Sequence, residues 1–258
     1  MIITTGEAEA PELVERAKAL AEETGCRYVT RGGQSLRRLA LKTGDEDILV
    51  VLQGHVRLGG PGRETLEFHP SMGYVRLKRV LRGEPDLMLE AAGMEEGDSV
   101  IDCTAGLGTD SLVFSVKGGE RGKVTALESS FPLYVLLKEG LRTYESNLSA
   151  SDEAMRRIDV KHGHHLDYLQ KLPDKSADIV YFDPMFREPV AESASINPLR
   201  HYANGEALDE QSVREAVRVA RKSVVLKEKR GSGEFARLGF KVPERGHSKI
   251  TYGVIRID

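Results

Sequence analysis

The chain has 258 residues, 40% hydrophobic and 30% charged, with a formal net charge of −3; this is enough apolar material for a core and excludes a disordered or collagen-like protein. No run reaches the roughly 20 apolar residues of a membrane span, and the first residues lack the basic-then-apolar order of a secretory signal. Cys26 and Cys103, far apart, make no disulfide framework, so a reducing, cytoplasmic setting is expected.

Residues 1–5 read as a short strand and 11–24 as an amphipathic helix, with Leu13, Ala17 and Leu20 on one stripe. Strand-like CRYV at 26–29, a helix over 35–41 and a strand over 48–52 follow, and residues 55–58 complete a hairpin with that strand. Gly59-Gly60-Pro61-Gly62 then breaks the pattern. A small α/β unit over residues 1–68 is therefore expected ahead of a larger domain over 69–258. The larger part opens with a basic cluster, Arg76, Lys78, Arg79 and Arg82. Beyond it, short strand-like runs begin at 99 (SVIDC), 123 (KVTALE), 158 (IDVKH), 177 (ADIVYFD) and 223 (SVVLK). Helical patterns separate them over 107–116, 133–147, 166–172 and 210–219. Such alternation means βαβ units and a mostly parallel sheet. The last stretch, FKVPERGHSKITYGVIRI, reads as two strands joined by a short turn, an antiparallel hairpin closing the sheet.

The first motif, DCTAGLGTD over 102–110, lies where a strand ends and a helix begins. Gly106 and Gly108 let the backbone turn sharply and let a ligand approach without a Cβ in the way. Glu128 stands 20 residues after Gly108, at the end of the next strand, where a carboxylate accepts hydrogen bonds from a ribose diol. A dinucleotide would want a third glycine, but Ser111 stands there, and Asp110 would repel a pyrophosphate. S-adenosylmethionine, with its cationic sulfonium and ammonium, suits Asp102 and Asp110 better.

The second motif is Asp183-Pro184-Met185-Phe186, at the carboxyl end of the fourth strand and hence beside the cofactor crevice. It resembles the [Asp/Asn]-Pro-Pro-[Tyr/Phe] signature of amino-methyltransferases, with Met185 in place of the second proline. In that chemistry Asp183 and the Pro184 carbonyl accept hydrogen bonds from an –NH₂ group and aim its lone pair, while Phe186 stacks on the base. Positioning of this kind supplies much of the rate with a donor that is already reactive.

The segments DCTAGLGTDSLVF, VKHGHHLDYL, IVYFDPMF, VVLKEKRG and GHSKITYG resemble the bacterial small-subunit rRNA guanine-N2 methyltransferase family J, from about Phe68 to the C-terminus. The resemblance implies a Rossmann-like class I methyltransferase fold and S-adenosylmethionine contacts on Thr109, Asp110, Glu128, Ser129, His164, His165 and Asp183. It also shows departures: Thr109 and Ser129 stand where the family has arginines, and His164-His165 where it has a serine pair. His162, His164 and His165 lack the cysteines or carboxylates that would complete a zinc set, so no metal is expected.

RNA is the expected partner. Residues 216–256 hold 11 Lys/Arg against 3 Asp/Glu, a basic segment on an acidic remainder. Arg76, Arg79, Arg187, Arg200, Lys229 and Arg230 are the cations expected to meet phosphate, and the stretch 187–205 is long enough to gate a substrate. Two other readings stay open: a small-molecule or protein N-methyltransferase on the same fold, and a non-catalytic S-adenosylmethionine-binding module docking on RNA. No pattern specifies an assembly state.

Overall fold

The four residues of β1 (Ile2–Thr5) are buried on both faces, which suits an internal strand of a sheet covered by helices. In this computed structural model, which describes residues 1–185, 197–243 and 248–258, β1 is the middle of the parallel part of an N-terminal sheet. The helix α1 (Pro11–Thr24) starts on a proline and ends on Gly25 at φ 71, the usual stop for a helix in the left-handed region. After it come β2 (Arg27–Tyr28), α2 (Leu36–Thr43), β3 (Ile48–Leu52), β4 (His55–Gly59) and β5 (Leu66–Glu67). The order is β2-β1-β3-β4-β5, parallel through β3 and antiparallel beyond it.

Two helices absent from the sequence reading follow: α3 (Ser71–Leu81) and α4 (Leu87–Ala92), the second capped by Asp86, which accepts from Met88 N and Leu89 N. The alternating part then runs β6 (Ser99–Asp102), α5 (Thr109–Gly118), β7 (Lys123–Glu128), α6 (Phe131–Thr143), α7 (Ser149–Arg157), β8 (Ile158–His162), α8 (His165–Leu169) and β9 (Ala177–Phe182). It closes with α9 (Asn197–Arg200), α10 (Glu210–Val219), β10 (Ala220–Lys229), α11 (Glu234–Arg237) and β11 (Ile250–Arg256).

This second sheet has the order β11-β10-β9-β6-β7-β8, all parallel except β11 against β10. It is the Rossmann-like class I methyltransferase sheet, mostly parallel with a C-terminal antiparallel pair. The chain leaves β6 toward β7 and β8, then crosses back to β9 on the other side, so the carboxyl end of β6 is the switch point where ligands bind. In the last stretch β11 pairs antiparallel with β10, and among the described residues Lys241 also bridges Val254 antiparallel.

The two sheets share one core. Ile3, Leu20, Leu49, Val56 and Phe68 belong to the same apolar cluster as Leu136, Leu137 and Leu141 of α6. A Cβ on Gly140 would collide with the Phe68 ring, so α6 lies directly on the N-terminal unit. Arg16 of α1 also reaches the buried Glu139 of α6 at 2.5 Å. Among the described residues no helix is long and apolar enough to cross a membrane.

Candidate active site

Strand β6 delivers Asp102 and Cys103 to the switch point, and the loop to α5 turns there with Gly106 at φ 55 and Gly108 at φ 72. Two carboxylates hold this loop. Asp102 accepts from Thr104 N at 3.2 Å and from Ser111 Oγ at 2.5 Å. Glu128, at the end of β7, accepts from Gly106 N at 3.0 Å and Ser130 N at 2.7 Å. Burial pushes Asp102 up to about 7, with the nearby Asp110 and Asp183 carboxylates adding to the rise. Burial likewise raises Glu128, against the backbone donors that favour its charge.

A cavity of ≈ 250 Å³ opens in front of this loop. It is lined by Cys103, Thr104 and Gly106 after β6, by Glu128 and Ser129 at the end of β7, and by Asp183, Pro184 and Met185 after β9. His164 and His165 line it too, their rings 4.1 Å apart. His164 Nδ1 caps α8 by accepting from Leu166 N, and the edge of His165 meets Phe182 at 5.5 Å. Burial and the neighbouring His164 push His165 down to about 4, which leaves its imidazole neutral at pH 7. Its Nε2 is buried with no hydrogen-bond partner among the described residues. His162 sits outside the cavity, with Phe131 and Tyr134, as its alternation along the strand predicts.

Asp183 follows β9 directly. Its backbone N–H donates to Thr104 Oγ1 at 2.6 Å, and its Oδ2 accepts from Lys227 Nζ at 2.7 Å. Lys227, from β10, also donates to Asp110 Oδ2 at 2.9 Å, and that same oxygen accepts from Tyr181 OH at 2.7 Å. The other oxygen of Asp110 pairs with Arg76 of α3, whose guanidinium also holds Asp86 with two bonds of 2.8 Å. Burial acts to raise the Asp110 pKa, but Lys227 and Arg76 outweigh it and hold the carboxyl well below the usual range. Burial pushes Asp183 up to about 6; Lys227 opposes that rise and Asp110 adds to it.

The candidate residues thus separate into groups. Gly106, Glu128, Ser129, His164, His165, Asp183 and Pro184 line one cavity. Asp102 and Gly108 brace it from behind, and Thr109 lies under α3, where Gly73 packs on its backbone. Both oxygens of Asp110 are engaged in the interior, by Arg76, Tyr181 and Lys227. Arg76 is 17% exposed and paired with Asp86 and Asp110. Arg79 and Arg200 are exposed, Arg79 beside Glu84, while Lys229 ends β10 and Arg230 donates to Ser248 O at 2.9 Å. Phe186 and Arg187 lie outside the described residues.

The sequence reading missed Thr104 and the wall formed by Leu199, Ala203, Asn204 and residues 206–209. Lys227 stands out in the sequence as a cation after the apolar run Val224-Val225-Leu226, near the carboxyl end of a buried strand. Among the described residues no group of three or more His, Cys, Asp or Glu is arranged to hold a metal ion.

A family described as "Putative SAM-dependent methyltransferase" matches residues 40–238. The chain is 42% identical over 255 residues to uncharacterized protein YpiP of Bacillus subtilis, covering 99% of each. It is 29% identical over 251 residues to ribosomal RNA small subunit methyltransferase J of Pseudoalteromonas atlantica, covering 90% of this chain and 89% of that one. The corresponding protein of Thioalkalivibrio sulfidiphilus is 28% identical over 229 residues, with 84% and 83% covered. In fold, a crystal structure of a SAM-dependent methyltransferase from Neisseria gonorrhoeae superposes with a TM-score of 0.65 at 21% identity, covering 99% and 96%.

Proposed function

This chain belongs to the SAM-dependent methyltransferase family, and from that premise we propose that its acceptor is the exocyclic amine of a guanine in ribosomal RNA. S-adenosylmethionine is its cofactor, and the site fits that molecule. Gly106 leaves the crevice open where a side chain would fill it, Glu128 offers carboxylate lone pairs for a ribose diol, and the neutral, unpartnered His165 waits beside the space for a base. When bound, the cofactor supplies an electrophilic methyl group on a sulfonium.

In this reading Glu128 and Ser129 would hold the ribose end of the cofactor, and His164 and His165 would flank its adenine. Asp183 and the Pro184 carbonyl accept the N–H groups of the acceptor amine, which aims the nitrogen lone pair along the axis of transfer. The nitrogen held in this way would take the methyl group that the cofactor supplies, and its surplus proton would leave to solvent. Phe186 is the residue assigned to stack on the base. Arg79, Arg187, Arg200, Lys229 and Arg230 supply cations for the phosphate backbone.

The observation that carries this reading is that Asp183-Pro184-Met185, after β9, line the same cavity as Glu128 and Ser129 at the end of β7, with β6 between the two strands. The two relatives named as ribosomal RNA small subunit methyltransferases support the choice of RNA. The test uses small-subunit rRNA from a strain lacking the protein, incubated with labelled S-adenosylmethionine and then mapped by mass. One methyl group on a guanine N2 is expected, and Asp183→Ala should abolish it while adenosylhomocysteine still binds. Methylation of a free small amine with none on RNA would overturn the reading in favour of a metabolite enzyme.

A further inference from the structure

The interior of the site holds a chain of alternating charges that runs from α4 to the cavity: Asp86, Arg76, Asp110, Lys227, Asp183. Burying such groups does not stabilise a fold better than apolar residues of the same size would. Lys227 follows three residues that are at most 1% exposed, so a methionine or leucine would fill its place at lower desolvation cost. Asp110 does not account for the lysine by itself, since Arg76 and Tyr181 already engage both its oxygens. What the lysine adds is its 2.7 Å bond to Oδ2 of Asp183. The other oxygen, Oδ1, carries no hydrogen bond among the described residues, and the side chain keeps 27% of its surface open.

We propose that Lys227 is a positioning residue: it pins Oδ2 of Asp183, keeps that carboxylate ionised inside the cavity wall, and leaves Oδ1 as the oxygen that receives the acceptor amine. This rests on the amine-transfer reading above. Asp110, held by Arg76 and Tyr181, fixes the lysine in turn and sets how much of its charge Asp183 feels. Among the described residues, the groups that face Asp183 are few. From β10 they are Lys227 and Glu228, from α5 Asp110, from β6 Asp102 and from β9 Tyr181. Tyr252 of β11 and Arg76 of α3 stand one shell further, against Lys227 and Asp110. Lys227 is the cation that touches Asp183, and the carboxylates among these groups all oppose its ionisation.

Two variants therefore move the titration of Asp183 in opposite directions, which a lysine with only a packing role would not produce. In Lys227→Met the carboxyl loses its cation, so the acid limb of the methyl-transfer pH profile should rise by about 1–3 pH units. In Asp110→Asn a repelling charge goes and Lys227 is released to Asp183 alone, so the limb should fall. Lys227→Arg should stay near the wild type. Carboxyl titration by NMR on protein labelled at aspartate carbons, without RNA, reads the same shifts independently of any substrate. If Lys227→Met does not fold, the Asp110→Asn and Lys227→Arg variants decide. Shifts of the stated signs support the role even where wild-type protein methylates no RNA, a result that would sink only the substrate reading. Unmoved carboxyl titration and an unmoved acid limb in protein that does methylate RNA would overturn the role of Lys227.

Discussion

Glu128 accepts from Gly106 N and Ser130 N within the protein itself, so its carboxylate braces the glycine loop while its remaining lone pairs stay available to a ribose diol. Glu128→Ala removes both functions. Adenosylhomocysteine affinity should fall by about 1.5–3 kcal/mol by calorimetry, the range for hydrogen bonds to a charged partner. An affinity within twofold of wild type would remove Glu128 from the ribose subsite. The place of Glu128 on the cavity was legible in the sequence because it depends on spacing alone, an acid at the end of the strand after a glycine turn. The partners of Asp110 were not legible, for a complementary reason. Its neighbours in sequence are the loop residues, but its side chain leaves the start of α5 toward β9 and β10, a direction that linear order does not contain. Lys227 shows the same limit, since a lysine that ends a strand reads as a surface cation until the strand is known to be central.

The helix α3 illustrates what periodicity misses. Its apolar residues point both ways: Leu77 is fully buried, whereas Met72 and Val75 are more than half exposed, so no single stripe stands out against the basic residues. Yet this helix carries Arg76 into the site, and it can do so because Gly73 lets it close on α5. A Cβ at Gly73 would lie 2.7 Å from the Thr109 carbonyl oxygen, and that oxygen is backbone at a helix start, which cannot swing aside. Gly73→Ala gains about 1 kcal/mol of helix propensity, but forcing an atom into this contact costs about 1–3 kcal/mol. A net loss of stability in urea is expected, together with weaker methyl transfer as Arg76 withdraws from Asp110. Unchanged stability and activity would show that α3 has room to spare. The strands β6, β7, β8 and β9 were legible to within a residue, because each is a short apolar or alternating run bounded by a turn. The helix α7 was not, since only Ala154 and Met155 of its nine residues are apolar and buried.

The N-terminal unit was legible as strands and two helices, but its packing was not, because nothing in the order of residues says that α1 and β4 will lie on α6. Pattern within an element survives in one dimension; the choice of neighbour does not. The same gap applies to the sheet order. Strand β6 pairs with β7, the next strand, but also with β9, and the bond from Ser99 N to Asp178 Oδ2 spans 79 residues. That long reach has a consequence in time. During synthesis the glycine loop and Glu128 emerge well before β9, and β10 brings Lys227 later still, so one side of the cavity exists as chain before the other can dock. Contacts between distant residues pay their loop-closure entropy before they return any stability, which makes them slow. Refolding from urea should accordingly recover helical signal early and adenosylhomocysteine binding only in the slowest phase, as followed by stopped-flow dichroism and ligand fluorescence. Binding regained together with the first helical signal would mean that β9 and β10 find β6 at once. Otherwise the catalytic cleft is the last thing a newly made chain acquires, and a chain interrupted before β9 holds its glycine loop with no Asp183 to oppose it.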